Sequence, residues 1–130
     1  MTPARGLADT SVFIARESGR PIDLSRLPAA LAVSVVTIGE LRAGVLAASN
    51  VETRDRRLST LTHASTLDPL AIDGDVAEAW ARLRILLRDA GRRMPVNDSW
   101  IAATALAHGV PVVTQDDDYV ELDGLPVVRV

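Results

Sequence analysis

Short apolar runs alternate along the chain with longer segments in which apolar residues recur every three to four positions. RGLA at 5–8, LAV at 31–33, PVVT at 111–114 and LPVVRV at 125–130 are too short for helices and read as strands. The periodic segments between them predict helices over Thr10–Ser18, from Ser34 (a good N-cap) to about Ala48, Glu52–Ala64, Gly74–Ala90 and Asn97–His108. DLSRL at 23–27 reads as a short helical piece inside a proline-bounded connection, and 67–72 as a possible further strand. Strands separated by helices predict an α/β fold of three layers, a central, mainly parallel sheet flanked by helices. With 130 residues and no internal repeat, low-complexity tract or linker, the chain makes a single domain, 1–130.

Such sheets bind ligands in the crevice beyond the carboxyl ends of their strands. Four acids fall there. Asp9 ends the first strand, Glu40 lies in the second turn of the helix after LAVS, Asp98 opens ATALAHG's helix, and Asp116 follows PVVT. Each has an ordinary reading: Asp9 as a cap in ADTS, Asn97 or Asp98 as the cap of its helix, Asp116–Asp118 as a solvated turn. Glu40 is less easily explained, since its neighbours at i±3 and i±4 are Val36, Thr37, Ala43 and Gly44, none a cation. Gly44 also leaves room one turn along for another group. If the four gather within 5–6 Å, each pair repels by about 3 kcal/mol at an effective dielectric of 20. Six such pairs rival the roughly 5–15 kcal/mol stability of a whole domain. The cluster must then be protonated or hold a cation, and an all-carboxylate set suits Mg²⁺ or Mn²⁺ rather than zinc.

Composition narrows the alternatives. No apolar run nears the roughly 18 residues of a membrane span, and MTPARGLADTSVFIA lacks the apolar core and cleavage site of a secretory signal, so a cytoplasmic protein is expected. There are no cysteines, hence no disulfides or thiolate zinc site. All 14 basic residues are arginine, and without lysine a receiver domain or a haloacid-dehalogenase-type phosphatase lacks its phosphate-pairing residue. The glycine motifs of P-loop and Rossmann folds are also missing. The net charge of -3 disfavours a nucleic-acid partner until four acids are committed to a metal, whereupon the remainder turns slightly positive.

LADTSVFIA, SVVTIGELRAG, PVNDSWIAATALAHG and VVTQDDDYV, in this order and spacing over nearly the whole chain, resemble a PIN-domain ribonuclease, specifically a VapC-like toxin. The resemblance implies a PIN-like fold and Mg²⁺-dependent endoribonuclease cleavage of structured RNA, such as transfer or ribosomal RNA, which arrests translation. It further implies a homodimer and a cognate antitoxin that docks near the active groove. The implied catalytic and metal-binding set is Asp9, Glu40, Asp98 and Asp116, with Asp118, Thr114, Thr10 and Asn97 as accessory positions. The family's last motif has basic residues where this chain carries Gln115 and Asp117.

A phosphodiester would be repelled by so acidic a pocket unless cations intervene. On the 74–93 segment, Val76, Ala79, Trp80, Leu83, Leu86, Leu87 and Ala90 form the expected core face, and Glu78–Arg82 and Asp89–Arg93 are spaced to pair. Arg84, Arg88 and Arg92 form a separate stripe without acids at that spacing, either a solvated face or a patch for RNA or antitoxin. With 3% aromatic residues, base stacking contributes little. His63 and His108 read as structural. The competing view of function is a PIN-like module that binds RNA or protein without cleaving.

Overall fold

Asp9 follows a strand and begins a helix, and that junction sets the plan of the molecule. The computed structural model describes residues 2–122 and 124–130. In chain order the elements are β1 (Arg5–Ala8), α1 (Thr10–Ser18), β2 (Ala30–Ala32), α2 (Val35–Ala47), α3 (Val51–Ser65), α4 (Gly74–Asp89), α5 (Val96–His108), β3 (Val112–Thr114) and β4 (Val127–Arg129). The strands make one sheet in the order β2-β1-β3-β4, every pair parallel.

Strand alternation sends successive side chains to opposite faces, and two cores result. Leu7 and Val112 pack with Leu83, Leu87, Ile101 and Ala105 beneath α4 and α5, whereas Ala8, Val33 and Val113 pack with Val12, Phe13, Leu41 and Leu61 beneath α1–α3. Both core faces of the sheet are therefore covered, as the sequence predicts. Gly6 is needed for close packing: a Cβ there would stand 2.5 Å from Val113 Cγ2 and 3.0 Å from Pro28 Cγ. We expect Gly6→Ala to lower stability by about 1–3 kcal/mol, the usual cost of overpacking, without changing the acidic site. Chemical denaturation read alongside activity checks this, and an unchanged midpoint would contradict it.

Several expectations change. Residues 67–72 form no strand: only Leu70 pairs, its N–H donating to the Val33 carbonyl at 2.8 Å. Asp68 takes a left-handed φ of 51° and Pro69 offers no N–H, so the ladder cannot extend. DLSRL is a turn, held by Asp23 Oδ1 accepting from Ser25 and cut short by Pro28. On α4, Leu86 and Ala90 lie outside the core, Leu86 being 48% exposed. Glu78 pairs with Arg82 at 2.8 Å as expected, but Asp89 takes Arg88 at 3.1 Å instead of Arg93, because the helix ends at Asp89 and an i,i+4 partner needs another turn. Arg92, beyond that end, does not continue a helical stripe. Among the described residues no helix is long and apolar enough to cross a membrane.

Candidate active site

The chain leaves β1 for β2 on one side and β3 lies on the other, so the carboxyl ends of β1 and β3 frame a topological switch point, where open α/β sheets form their crevice. Asp9 sits at its centre. Its N–H donates to the Val113 carbonyl at 2.9 Å, and its side chain is 2% exposed. Oδ1 accepts from the Ser11 N–H at 3.1 Å and the Ser11 hydroxyl at 2.6 Å, and Oδ2 accepts from the Thr114 hydroxyl at 2.6 Å. Asp9 thus caps α1 and also belongs to the site. Of about four acceptor positions on a carboxylate three are used, which leaves a lone pair on Oδ2. Burial raises its pKa, opposed by the Ser11 and Thr114 bonds and reinforced by Asp116.

Thr114 connects Asp9 to the acidic turn, since its hydroxyl also accepts from the Asp116 N–H at 2.9 Å. The carboxyl of Asp116 is half-buried and its pKa is raised by burial and by Asp118, with Arg20 acting the other way. Gln115, where a basic residue was expected, serves as an anchor: its side-chain amide donates to the Pro21 and Val130 carbonyls, and its N–H donates to the Ser11 hydroxyl. Asp117 turns away and pairs with Arg129 of β4 at 3.1 Å. Asp118 is exposed but close enough to raise the pKa of both Asp98 and Asp116.

Glu40 reaches the site from α2, where Oε1 accepts from the Thr10 hydroxyl at 2.7 Å; that hydroxyl also lies 3.1 Å from Thr37 Oγ1. Gly44 does leave room, and the group that enters is Arg57, which donates to the Gly44 carbonyl at 2.7 Å. Asp98 is the most exposed to its neighbours' charge. Neither it nor Asn97 caps α5, because the cap position is Pro95 and no side chain bonds there. Among the described residues its half-buried carboxyl has no hydrogen bond or ion pair, and its pKa is pushed up to about 6 by burial first and then by Asp9, Asp118, Glu40 and Asp116. Asn97 is exposed with no side-chain bond among the described residues. His63 on α3 and His108 at the end of α5 lie outside the cluster.

Sequence reasoning missed Ser11, Arg20 and Tyr119. Ser11 was visible in ADTS only as another cap. Tyr119 follows three aspartates, and its return to the core with Val120 is the signal that the turn folds inward. Its hydroxyl is buried facing Asp9, and burial together with the charges of Asp9 and Asp98 keeps it protonated. An all-carboxylate set of mutually repelling oxygens fits a hard cation such as Mg²⁺ or Mn²⁺. Among the described residues no three acids stand at ligand distance from one point. An ion held here would therefore have to complete its shell with waters, as Mg²⁺ does when it binds through one or two carboxylates.

The sequence matches the PIN domain family over residues 7–125. It is 51% identical to Ribonuclease VapC5 of Mycobacterium tuberculosis over 129 residues, 99% of this chain and 96% of that one. It is 52% identical to Ribonuclease VapC4 of the same organism over 131 residues, 100% of each. A crystal structure of VapBC-5, a member of the VapBC family of toxin–antitoxin systems from M. tuberculosis, aligns with a TM-score of 0.90 at 46% identity, covering 98% of this chain and 100% of that one. With the acids of LADTSVFIA, IGEL, PVNDSW and TQDDD gathered at one switch point, the chain belongs to the PIN-domain family and, within it, to the VapC ribonucleases.

Proposed function

We propose that the chain is a Mg²⁺-dependent endoribonuclease, with Mn²⁺ able to substitute, and that it is the toxin of a toxin–antitoxin pair. The observation that carries this reading is Asp98, which does not cap its helix and, among the described residues, pairs with no cation, yet stands among Asp9, Glu40, Asp116 and Asp118. Asp9, Asp98 and Asp116 are the residues that would hold the ion, and Glu40, steered by Thr10, would take a second ion or orient the attacking water. A bound divalent ion supplies Lewis acidity, easing deprotonation of water and screening charge on the phosphate. Ser11 and Thr114 fix Asp9, Thr114 also fixes the backbone of Asp116, and the protonated Tyr119 hydroxyl faces Asp9 from the core side. No histidine is needed.

The substrate is structured cellular RNA, such as transfer or ribosomal RNA, whose cleavage arrests translation, and the site of action is the cytoplasm. A cognate antitoxin and a homodimeric assembly complete the reading; the antitoxin is supported by the likeness to a solved VapBC complex. The experiment is to map cleavage ends on total RNA with and without Mg²⁺. Water as nucleophile predicts 3′-hydroxyl and 5′-phosphate ends. Recovery of 2′,3′-cyclic phosphates would mean that the ribose hydroxyl attacks and that this mechanism is wrong.

A further inference from the structure

We propose that Arg84, Arg88, Arg92 and Arg93 form a phosphate-anchoring subsite that seats the RNA backbone beside the scissile position; this rests on the nuclease reading. The four guanidinium-bearing side chains, with Val96 and Ser99, line a cavity of about 270 Å³ where the end of α4 meets the start of α5. Arg93 was assigned to an ion pair from its spacing, but Asp89 is taken by Arg88, so Arg93 joins the pocket. Among the described residues Arg88 is the only one of the four with an acidic partner.

The pocket is braced against the first turn of α5, the turn that also carries Asp98. Arg84 lies over the Trp80 ring at 4.9 Å, and Trp80 stacks on Trp100 with centroids 4.3 Å apart and planes within 2°. The Trp80 indole N–H donates to the Ser99 hydroxyl at 3.0 Å, and that hydroxyl donates to the Val96 carbonyl at 2.5 Å. Ser99 directly follows Asp98 and is 6% exposed, so the arginine seat and the acid share one braced helical turn. A guanidinium held over an aromatic ring is pre-positioned, and its planar N–H fork can grip a phosphate with two hydrogen bonds. On this proposal a strand whose scissile phosphate faces Asp98 runs an adjoining phosphate toward the pocket, where positive charge offsets the repulsion from the acids. This nearness to Asp98 favours RNA over an acidic protein segment as the occupant.

The test is fluorescence anisotropy of a labelled single-stranded RNA binding to the Asp98→Asn protein, where affinity is read without cleavage. Adding Arg84→Ala and Arg93→Ala should weaken binding about tenfold near 0.1 M salt and cut the log–log salt slope by about 1.4, two lost contacts at roughly 0.7 each. Arg84→Lys with Arg93→Lys should keep the slope but lose part of the affinity, because charge remains while the fork does not. Arg82→Ala, on another face and paired with Glu78, should bind like its parent. Thermal melts confirm that each variant is folded. In the protein retaining Asp98, the double alanine variant should raise KM with kcat unchanged. Unchanged RNA affinity overturns the proposal, as does a parent that binds no RNA, or variants that lose only a poly-glutamate peptide. Arginine-dependent RNA binding by a wild type that cleaves nothing would leave the subsite standing and remove the nuclease reading.

Discussion

Asp98→Asn is expected to lower RNA cleavage by about 10²–10³-fold or more, the range seen when one preorganised electrostatic contact at a reacting centre is deleted. Loss of an outer contact to a metal ligand alone costs about 10–100-fold, so loss of the ligand itself should exceed that. The substitution breaks no structural contact, because among the described residues the Asp98 carboxyl neither caps α5 nor forms a hydrogen bond or ion pair. Asparagine preserves shape and removes only the negative charge. Asp9→Asn is a poorer test of mechanism: Asp9 also caps α1 and accepts from Thr114, so its loss combines catalysis with about 1 kcal/mol of helix capping. Single-turnover cleavage of a labelled RNA, at saturating Mg²⁺ and with metal removed by chelation, gives the comparison. An Asp98→Asn protein that cleaves within threefold of wild type would rule out this carboxylate as a ligand.

How much of this could be read in the chain differs between elements. The β1–α1 junction and the course of α5 were legible because an apolar run meets a polar capping residue in the first and apolar periodicity is unbroken in the second. The acids were legible as positions at strand and helix ends, yet not as roles. Asp9 caps α1 and also borders the acidic crevice, so the one role does not count against the other. Asp117 and Asp118 are indistinguishable by composition, and only the placement of β4 sends Asp117 to Arg129 and leaves Asp118 beside Asp98. Residues 67–72 have strand-like composition, but pairing depends on backbone dihedrals, and Asp68–Pro69 remove them from the ladder after one bridge. The space at Gly44 was foreseeable, while its occupant, Arg57, comes from a different helix and is set by tertiary packing. Arg93 illustrates the same limit, since one residue of helix length decides whether it pairs with Asp89 or faces the pocket.

The metal-free protein should gain stability when Mn²⁺ or Mg²⁺ is added at neutral pH, by about 2.7 kcal/mol at one hundred times the dissociation constant, or on the order of 10 °C in Tm. The pH dependence follows from the direction of the shifts. The carboxyl of Asp98 has an ordinary value of 3.8 and stands at about 6 when folded, so between those values the native state binds more protons than the unfolded chain. Stability of the metal-free protein therefore falls as pH rises through that window, and Asp9 and Asp116, whose pKa values are also raised, act in the same direction. Asp98→Asn removes its own share: the variant should melt above wild type at pH 7, and the gap should close toward pH 4, where the wild-type carboxyl is protonated. Metal stabilisation should fade over the same interval, because the protons and the ion compete for the same oxygens. Differential scanning calorimetry of both proteins at pH 4–8, with and without Mn²⁺, measures all three trends together. A wild-type Tm insensitive to Mn²⁺ at pH 7 would mean that the clustered carboxylates manage their repulsion without a cation, and the catalytic role assigned to them would fail with it.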